Sequence, residues 1–290
     1  MTVPLIDEGV LNLADGRNLA YSVWGAPGAP VVLYCHGFPT NRRELDLLQP
    51  KLEQHTVNAR VVALNRPGYG ASTFQANRAI LDWPSDVAEA ADQLGIGRFA
   101  VLGVSGGSPY ALACAWAMAD RVVQVGIVAG VGPIEATGME EAAAIAGPSA
   151  IALIRRLQFE AAAFSFRRGQ ESRFIDKSID TMSAPDQEAL SLAETRRWFT
   201  ETMRESFESG GRSVAHGAGL YRKSWGFDPG DISVRTQLWY GTADHTVPPS
   251  VGQWLAERLP NAHRVVWPQH GHFTWMLSDE AAEMVETIAN

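Results

Sequence analysis

The chain is short of cysteine, of net positive charge and of long apolar runs, and each shortage excludes something. Two cysteines in 290 residues cannot build a disulfide framework. Neither Cys35 nor Cys114 has a CxxC partner or metal-ligand spacing. Each lies in an apolar stretch, Val31–Cys35 or Ala111–Met118, the setting of a buried reduced thiol, which suits the cytoplasm. Lys and Arg number 24 against 32 Asp and Glu, a formal net charge of −8. That balance leaves no basic excess to neutralise phosphates, so no nucleic-acid partner is expected. The longest apolar stretch, Ala142–Ile154, is broken by Gly147, Pro148 and Ser149. It falls short of the ~20 residues of a membrane span. The N-terminal MTVPLIDEG has neither a basic nor an apolar leader region, so no signal peptide is expected. The seven histidines are scattered, and the close pair His270 and His272 has no ligand cluster around it. No metal and no cofactor are expected. Internal repeats and low-complexity tails are also missing.

What is present describes a globular chain. Apolar residues make up 46%, charged residues 19% and aromatics 9%, which excludes disorder as the main state. At ~150 residues per domain the length fits two domains, or one large domain with an insertion. Val10–Asp15 and Asn18–Trp24 read as strands split by an Asp15–Gly16 turn. Then Val31–Cys35, Arg60–Asn65, Phe99–Val104 and Val122–Val128 are continuous apolar runs, the mark of parallel strands buried on both faces. Helical patterns over Arg42–His55, Ile80–Leu94 and Pro109–Ala119 separate them. This alternation predicts a mostly parallel α/β sheet. From about Ile134 to about Ser224 the chain is helical and alanine-rich, with arginine pairs at 155–156, 167–168 and 196–197. The alternation then resumes with strand Val234–Tyr240, helix Ser250–Leu259, strand Arg264–Trp267 and helix Asp279–Ile288.

Gly103–Val104–Ser105–Gly106–Gly107 fits G-x-S-x-G and stands between a strand and a helix, where a nucleophile elbow belongs. Gly103 and Gly107 leave room for a strained turn that exposes the serine hydroxyl. Without that context the pattern is weak, and Ser105 would read as a helix N-cap. A nucleophilic serine needs a base and a group that orients the base. Asp244 lies in a loop after a strand, the edge where open α/β sheets build their sites, although an aspartate there also suits an Asx turn. The base is His272 or His270, both in Trp267–Phe273; His272 follows Gly271, which frees the loop to swing the ring over the elbow. Backbone donors for an oxyanion are expected from Gly106 and from the loop His36–Gly37–Phe38–Pro39, where Pro39 has no N–H and Phe38 is the candidate. Gly37 lets that loop turn in, and His36 reads as a brace rather than a catalyst. A G-x-G-x-x-G spacing is lacking, so no nicotinamide or flavin is expected.

The motifs His36–Pro39, Asn65–Ser72, Gly103–Gly107, Gly241–Pro248 and Gly271–Phe273 together resemble the α/β-hydrolase superfamily over nearly the whole chain except the helical stretch. The resemblance implies an α/β-hydrolase core over 1–133 and 225–290, with a helical cap over 134–224. It favours His272 over His270; some members of the superfamily carry the acid after strand six, which here would be Glu135, but Asp244 stands at the commoner place, so the resemblance implies a triad of Ser105, Asp244 and His272. Asn65 stands where the family more commonly has Asp. A serine nucleophile argues against the epoxide hydrolases and haloalkane dehalogenases, which use aspartate. The implied activity is ester or related acyl hydrolysis through an acyl-enzyme. The same triad could instead serve C–C bond hydrolysis, acyl transfer, perhydrolysis or lactone opening, since the fold does not separate them. A ligand-binding protein that kept the fold is the reading outside enzymes; its sign, a missing triad member, is not seen. Phe38, Trp198 and Trp225, with other cap aromatics (Phe159, Phe164, Phe166, Phe174, Phe199 and Phe207), are candidates for the substrate pocket, though aromatics at helical spacing more often form a small-domain core. The negative net charge favours a neutral, apolar acyl substrate.

Overall fold

The computed structural model describes residues 5–139 and 152–290. Eight strands form one sheet in the order β1-β2-β4-β3-β5-β6-β7-β8. They are β1 Leu5–Asn12, β2 Asn18–Gly25, β3 Val31–Cys35, β4 Arg60–Leu64, β5 Phe99–Val104, β6 Val122–Val128, β7 Thr236–Gly241 and β8 Ala262–Trp267. β2 runs antiparallel to β1 and β4, and all other pairs are parallel. The mostly parallel sheet expected from the buried runs is therefore present.

Side chains that alternate along each strand feed two cores. Leu33, Cys35, Val101 and Ile127 join α2 (Trp83–Gln93), α3 (Ser108–Ala117) and a later helix, Pro249–Arg258, on one face. Val32, Tyr34, Leu102 and Val128 join α1 (Glu44–Gln54) and the last helix, Glu280–Ala289, on the other. Both faces are covered, which is why β3 and β5 carry no charged or amide side chain. β3 lies between β4 and β5. The connection leaving β3 goes to α1 on one face, and that leaving β5 goes to α3 on the opposite face. This reversal opens a crevice at the carboxyl ends of β3 and β5.

Some boundaries differ from the sequence reading. The first strand begins at Leu5 and ends at Asn12, because the turn starts earlier, with Leu13 N–H donating to Arg17 O at 2.8 Å. As an edge strand it carries the polar sequence LIDEGVLN, so no apolar run marks its start. The helix expected from Ile80 begins as a single tight turn, Ile80–Asp82, and becomes α-helical at Trp83, with Pro84 in the first turn where its missing N–H costs nothing.

Between β6 and β7 the described residues form helices: α4 Ala152–Arg167, α5 Ser172–Asp180, α6 Ala184–Ser191, α7 Ala193–Ser206 and α8 Gly211–Leu220. The two helices that follow β7 are α9 (Pro249–Arg258) and α10 (Glu280–Ala289). Much of the apolar stretch Ala142–Ile154, and the part of the expected cap at 140–151, lie outside the described residues. Phe166 stacks on Phe207 at 5.1 Å, with Phe174 and Phe159 around them. These aromatics are the core of the helical segment. Glu205 of α7 ties it to the sheet domain by pairing with Arg42 and Arg43, and it accepts from Asn65 Nδ2 at 3.3 Å. Asn65 Oδ1 in turn accepts Arg42 N–H at 2.7 Å, so the amide both donates and accepts, as a carboxylate at this position could not. No described helix is long and apolar enough to cross a membrane.

Both cysteines are free and buried. Burial pushes the Cys35 thiol up to about 11 and Cys114 well above its ordinary value. A thiol so protonated and enclosed is unreactive. Ellman's reagent should therefore find no thiol in the native protein and two after unfolding in guanidinium; fast modification of the native chain would show that the strand packing around Cys35 is wrong.

Candidate active site

The crevice holds the turn between β5 and α3. Ser105 sits there with φ +51°, a left-handed conformation unusual for a residue with a side chain. The flanking glycines make this turn possible. A Cβ on Gly107 would run into the Cys35 carbonyl, and one on Gly103 would lie 2.8 Å from Ala111 Cβ. The turn is thus pressed against the end of β3.

Three residues from distant loops meet there. His272 Nε2 lies 2.9 Å from Ser105 Oγ, and His272 Nδ1 lies 2.8 Å from Asp244 Oδ2. Asp244 follows β7, and its Oδ1 accepts the amides of Thr246 and Val247, each at 2.8 Å. All three side chains are buried. The other candidates lie elsewhere. Glu135 is exposed. His270 faces Glu280, with Nε2 at 3.5 Å from Oε1, and packs on Trp267.

The loop after β3 closes the second side. His36 is buried, with Nδ1 donating to Gly37 O at 2.9 Å and Nε2 accepting Arg66 N–H at 3.1 Å. Burial and the Arg66 charge hold its pKa well below the ordinary imidazole value, so it is neutral. Arg66 also donates to the carbonyls of His36 and Gly37. These bonds brace the loop, whose Phe38–Pro39 peptide is cis. No acceptor takes the Phe38 amide among the described residues. A small cavity, ≈ 10 Å³, is lined by Gly37, Phe38, Glu44, Ser105, His272 and Phe273, among others. Trp198 and Trp225 are not among its lining residues. Trp198 donates to Arg43 O at 2.7 Å and stands edge to face with Phe273, which lines the cavity. Trp225 is buried beside Phe227, and Phe164 is half exposed.

Three supporting residues escape the sequence reading. Asp186, in the first turn of α6, is fully buried and accepts the amides of His272 and Phe273, each at 2.7 Å, and the Ser183 hydroxyl at 2.6 Å. A Cβ on Gly271 would strike this carboxylate, so the glycine serves close approach as well as loop freedom. In sequence, Ser183–Asp186 looks only like a capping box. Glu44, in the first turn of α1, reads as a solvated helix acid. It is buried instead, accepting Gly37 N–H at 3.0 Å, Tyr34 O–H at 2.8 Å and the Thr40 hydroxyl. Burial raises its pKa against these bonds, which favour the anion. Tyr221, just past α8, donates to Gly106 O at 2.8 Å and packs its ring on Phe38 at 5.5 Å. It therefore touches both of the expected oxyanion residues.

Burial alone would lower the His272 pKa. The charge of Asp244 and the hydrogen bond to it, with the charges of Asp186 and Glu44, outweigh burial and leave it raised. The arrangement can take a proton from Ser105 and hold the resulting imidazolium. Among the described residues no cluster of three or more His, Cys, Asp or Glu could hold a metal.

A sequence profile of the alpha/beta hydrolase family matches residues 32–287. The bifunctional esterase/perhydrolase DCH of Acinetobacter calcoaceticus is 30% identical over 128 residues, 43% of this chain and 46% of that protein. The match thus spans about half the length of that curated relative. Solved structures of similar shape include a hydrolase from Pseudomonas aeruginosa PA01, with TM-score 0.73, 18% identity and 98% of each chain covered. A thermophilic esterase from Thermogutta terrifontis has TM-score 0.69 and 20% identity over 97% of this chain and 96% of that one. The enol-lactonase from Burkholderia xenovorans LB400 has TM-score 0.67 and 19% identity over 97% and 98%. At these identities the likeness is one of fold.

Asp186→Asn removes a negative charge near His272 and one of the two loop acceptors. The His272 imidazole, followed by NMR, should then lose its proton at lower pH than in the parent chain. Stability should fall by about 1–3 kcal/mol in urea unfolding. An unmoved midpoint in a folded variant would show that Asp186 does not act on the imidazole.

Proposed function

The chain belongs to the alpha/beta hydrolase family, and we propose that within it the protein is a serine hydrolase cleaving a carboxylic ester or related acyl compound through an acyl-enzyme on Ser105. The observation that carries this reading is the pair of contacts at His272: 2.9 Å from Nε2 to Ser105 Oγ and 2.8 Å from Nδ1 to Asp244. In this mechanism Nε2 takes the hydroxyl proton as Oγ attacks the acyl carbon. The Phe38 and Gly106 amides receive the negative charge on the carbonyl oxygen. His272 then gives its proton to the leaving oxygen, and water, deprotonated by the same nitrogen, releases the acid and restores Ser105. Asp244 keeps the proton on Nδ1 and stabilises the imidazolium. Phe38, Val104, Phe273 and Met276 around Ser105 favour an apolar acyl group. In this reading the described helices within 152–224 act as a cap over the crevice.

The partial likeness to an esterase/perhydrolase favours a second outcome for the same intermediate. Hydrogen peroxide in place of water would take the acyl group, giving a peracid and free Ser105. Both reactions need the same serine.

Ser105→Ala should lower kcat/KM on short p-nitrophenyl esters by about 10³-fold or more and abolish labelling by a fluorophosphonate probe. Ester cleavage that survives this change would overturn the mechanism. A parent chain that neither labels nor cleaves would favour a binding protein. Because the base must be neutral and the His272 pKa is raised, kcat/KM should climb with pH through a midpoint above the ordinary imidazole value.

A further inference from the structure

A second cavity, ≈ 430 Å³, lies between the β4–α2 connection and helices α4 and α8. Its wall includes Arg78, Arg155, Arg156, Arg212, His216 and Lys223, and no described lining residue is Asp or Glu. In a chain with net charge −8, this is a local concentration of the opposite sign.

Two of the cations, Arg78 and Arg155, are built into the wall. Arg78 is 4% exposed. Its Nη1 donates to the Tyr110 hydroxyl at 3.2 Å, while Nε and Nη2 have no hydrogen-bond partner among the described residues. A buried guanidinium with two idle nitrogens is costly unless a ligand completes it. Arg155 is also buried; its Nε donates to Ala215 O at 3.2 Å and its guanidinium lies against Gly219. Arg212 is laid over the Phe74 ring at 4.3 Å, which presents its planar fork in a fixed orientation. Arg78, Arg156, Arg212 and Lys223 form no ion pair among the described residues. Arg78, Arg156, Arg212 and Lys223, like charges with no counter-charge among the described residues, would be stabilised by an oxyanion, which guanidinium groups bind through paired hydrogen bonds.

We propose that this cavity is a binding site for the carboxylate or phosphate group of a small organic anion. The volume lies in the range of small-molecule sites. The wall of the cavity reaches toward the candidate active site: a Cβ on Gly217 of α8 would lie 3.8 Å from Arg78 Nη2 and 3.5 Å from the Phe38 ring, so the buried end of Arg78 stands near Phe38. The anion is therefore either the acid end of a molecule whose acyl group reaches Ser105, which rests on the serine-hydrolase reading, or a separate anion bound beside it.

The test titrates the full chain with inorganic phosphate and with glutarate, at ionic strength held constant with sodium chloride, and follows the melting temperature. A saturable rise is expected with at least one anion. Its half-saturating concentration should increase at least tenfold in Arg78→Met and in the double variant Arg156→Gln, Arg212→Gln. The double variant changes exposed residues only, so it keeps the test decisive if Arg78→Met does not fold. No rise beyond that of sodium chloride, or equal half-saturation in a folded variant, overturns the site. Hydrolysis of p-nitrophenyl butyrate and of the anionic p-nitrophenyl hemiglutarate separates the two sources. If the substrate supplies the anion, the double variant lowers the kcat/KM ratio of anionic to neutral ester at least tenfold; a constant ratio with intact titration assigns a separate anion. A chain that cleaves neither ester refutes the hydrolase reading alone, since the melting titration still decides the anion site.

Discussion

The pressing of one turn against one strand end underlies the rest of this molecule. Gly107 lies so close to the Cys35 carbonyl that no side chain fits between them. That approach anchors the β5–α3 turn and holds Ser105 at positive φ. It also fixes the turn relative to the His36–Pro39 loop, which leaves the same strand end. The sheet order makes the contact possible, because β3 and β5 are neighbours whose connections part to opposite faces. Backbone strain of about 1–3 kcal/mol at such a residue persists only when its surroundings over-determine it. Here the surroundings are the two buried cores that grip β3 and β5.

Around this turn the protein surrounds one imidazole with buried carboxylates. Asp244 accepts the hydrogen bond from the ring Nδ1–H, Asp186 holds the backbone of the loop, and Glu44 holds the loop opposite. Each is satisfied by hydrogen bonds, so the cost of burying it is offset locally. Their summed charge raises the His272 pKa against the effect of burial. Asp186 comes from the helical segment and His272 from the last loop of the sheet domain, so seating the helices and aligning the base are one event. Tyr221 adds a second tie of this kind, from the end of α8 to Gly106.

Charge is distributed in a way that composition conceals. The carboxylates gather at the imidazole, while arginines gather in the cavity between the β4–α2 connection and helices α4 and α8. A net charge of −8 describes the field far from the molecule. Within a cavity the nearest groups decide, since screening over about 10 Å weakens the rest. The preference for neutral substrates inferred from the total therefore does not carry over to this cavity.

The sequence by itself determined the sheet and where its turns fall. Buried parallel strands must be apolar throughout, so Val31–Cys35 and Phe99–Val104 were legible as runs, while the polar edge strand Leu5–Asn12 was not. It also marked Ser105, Asp244 and His272 as candidates, because a strained turn demands glycines at fixed spacing and the partners stand at strand ends. Only the tertiary structure decided what supports them. Glu44 and Asp186 look like ordinary first-turn helix acids, and the arginine pair 155–156 looks like a solvated helix face. Their roles depend on which loop or helix packs opposite, a contact between residues as far apart as Asp186 and His272, and no local spacing encodes that.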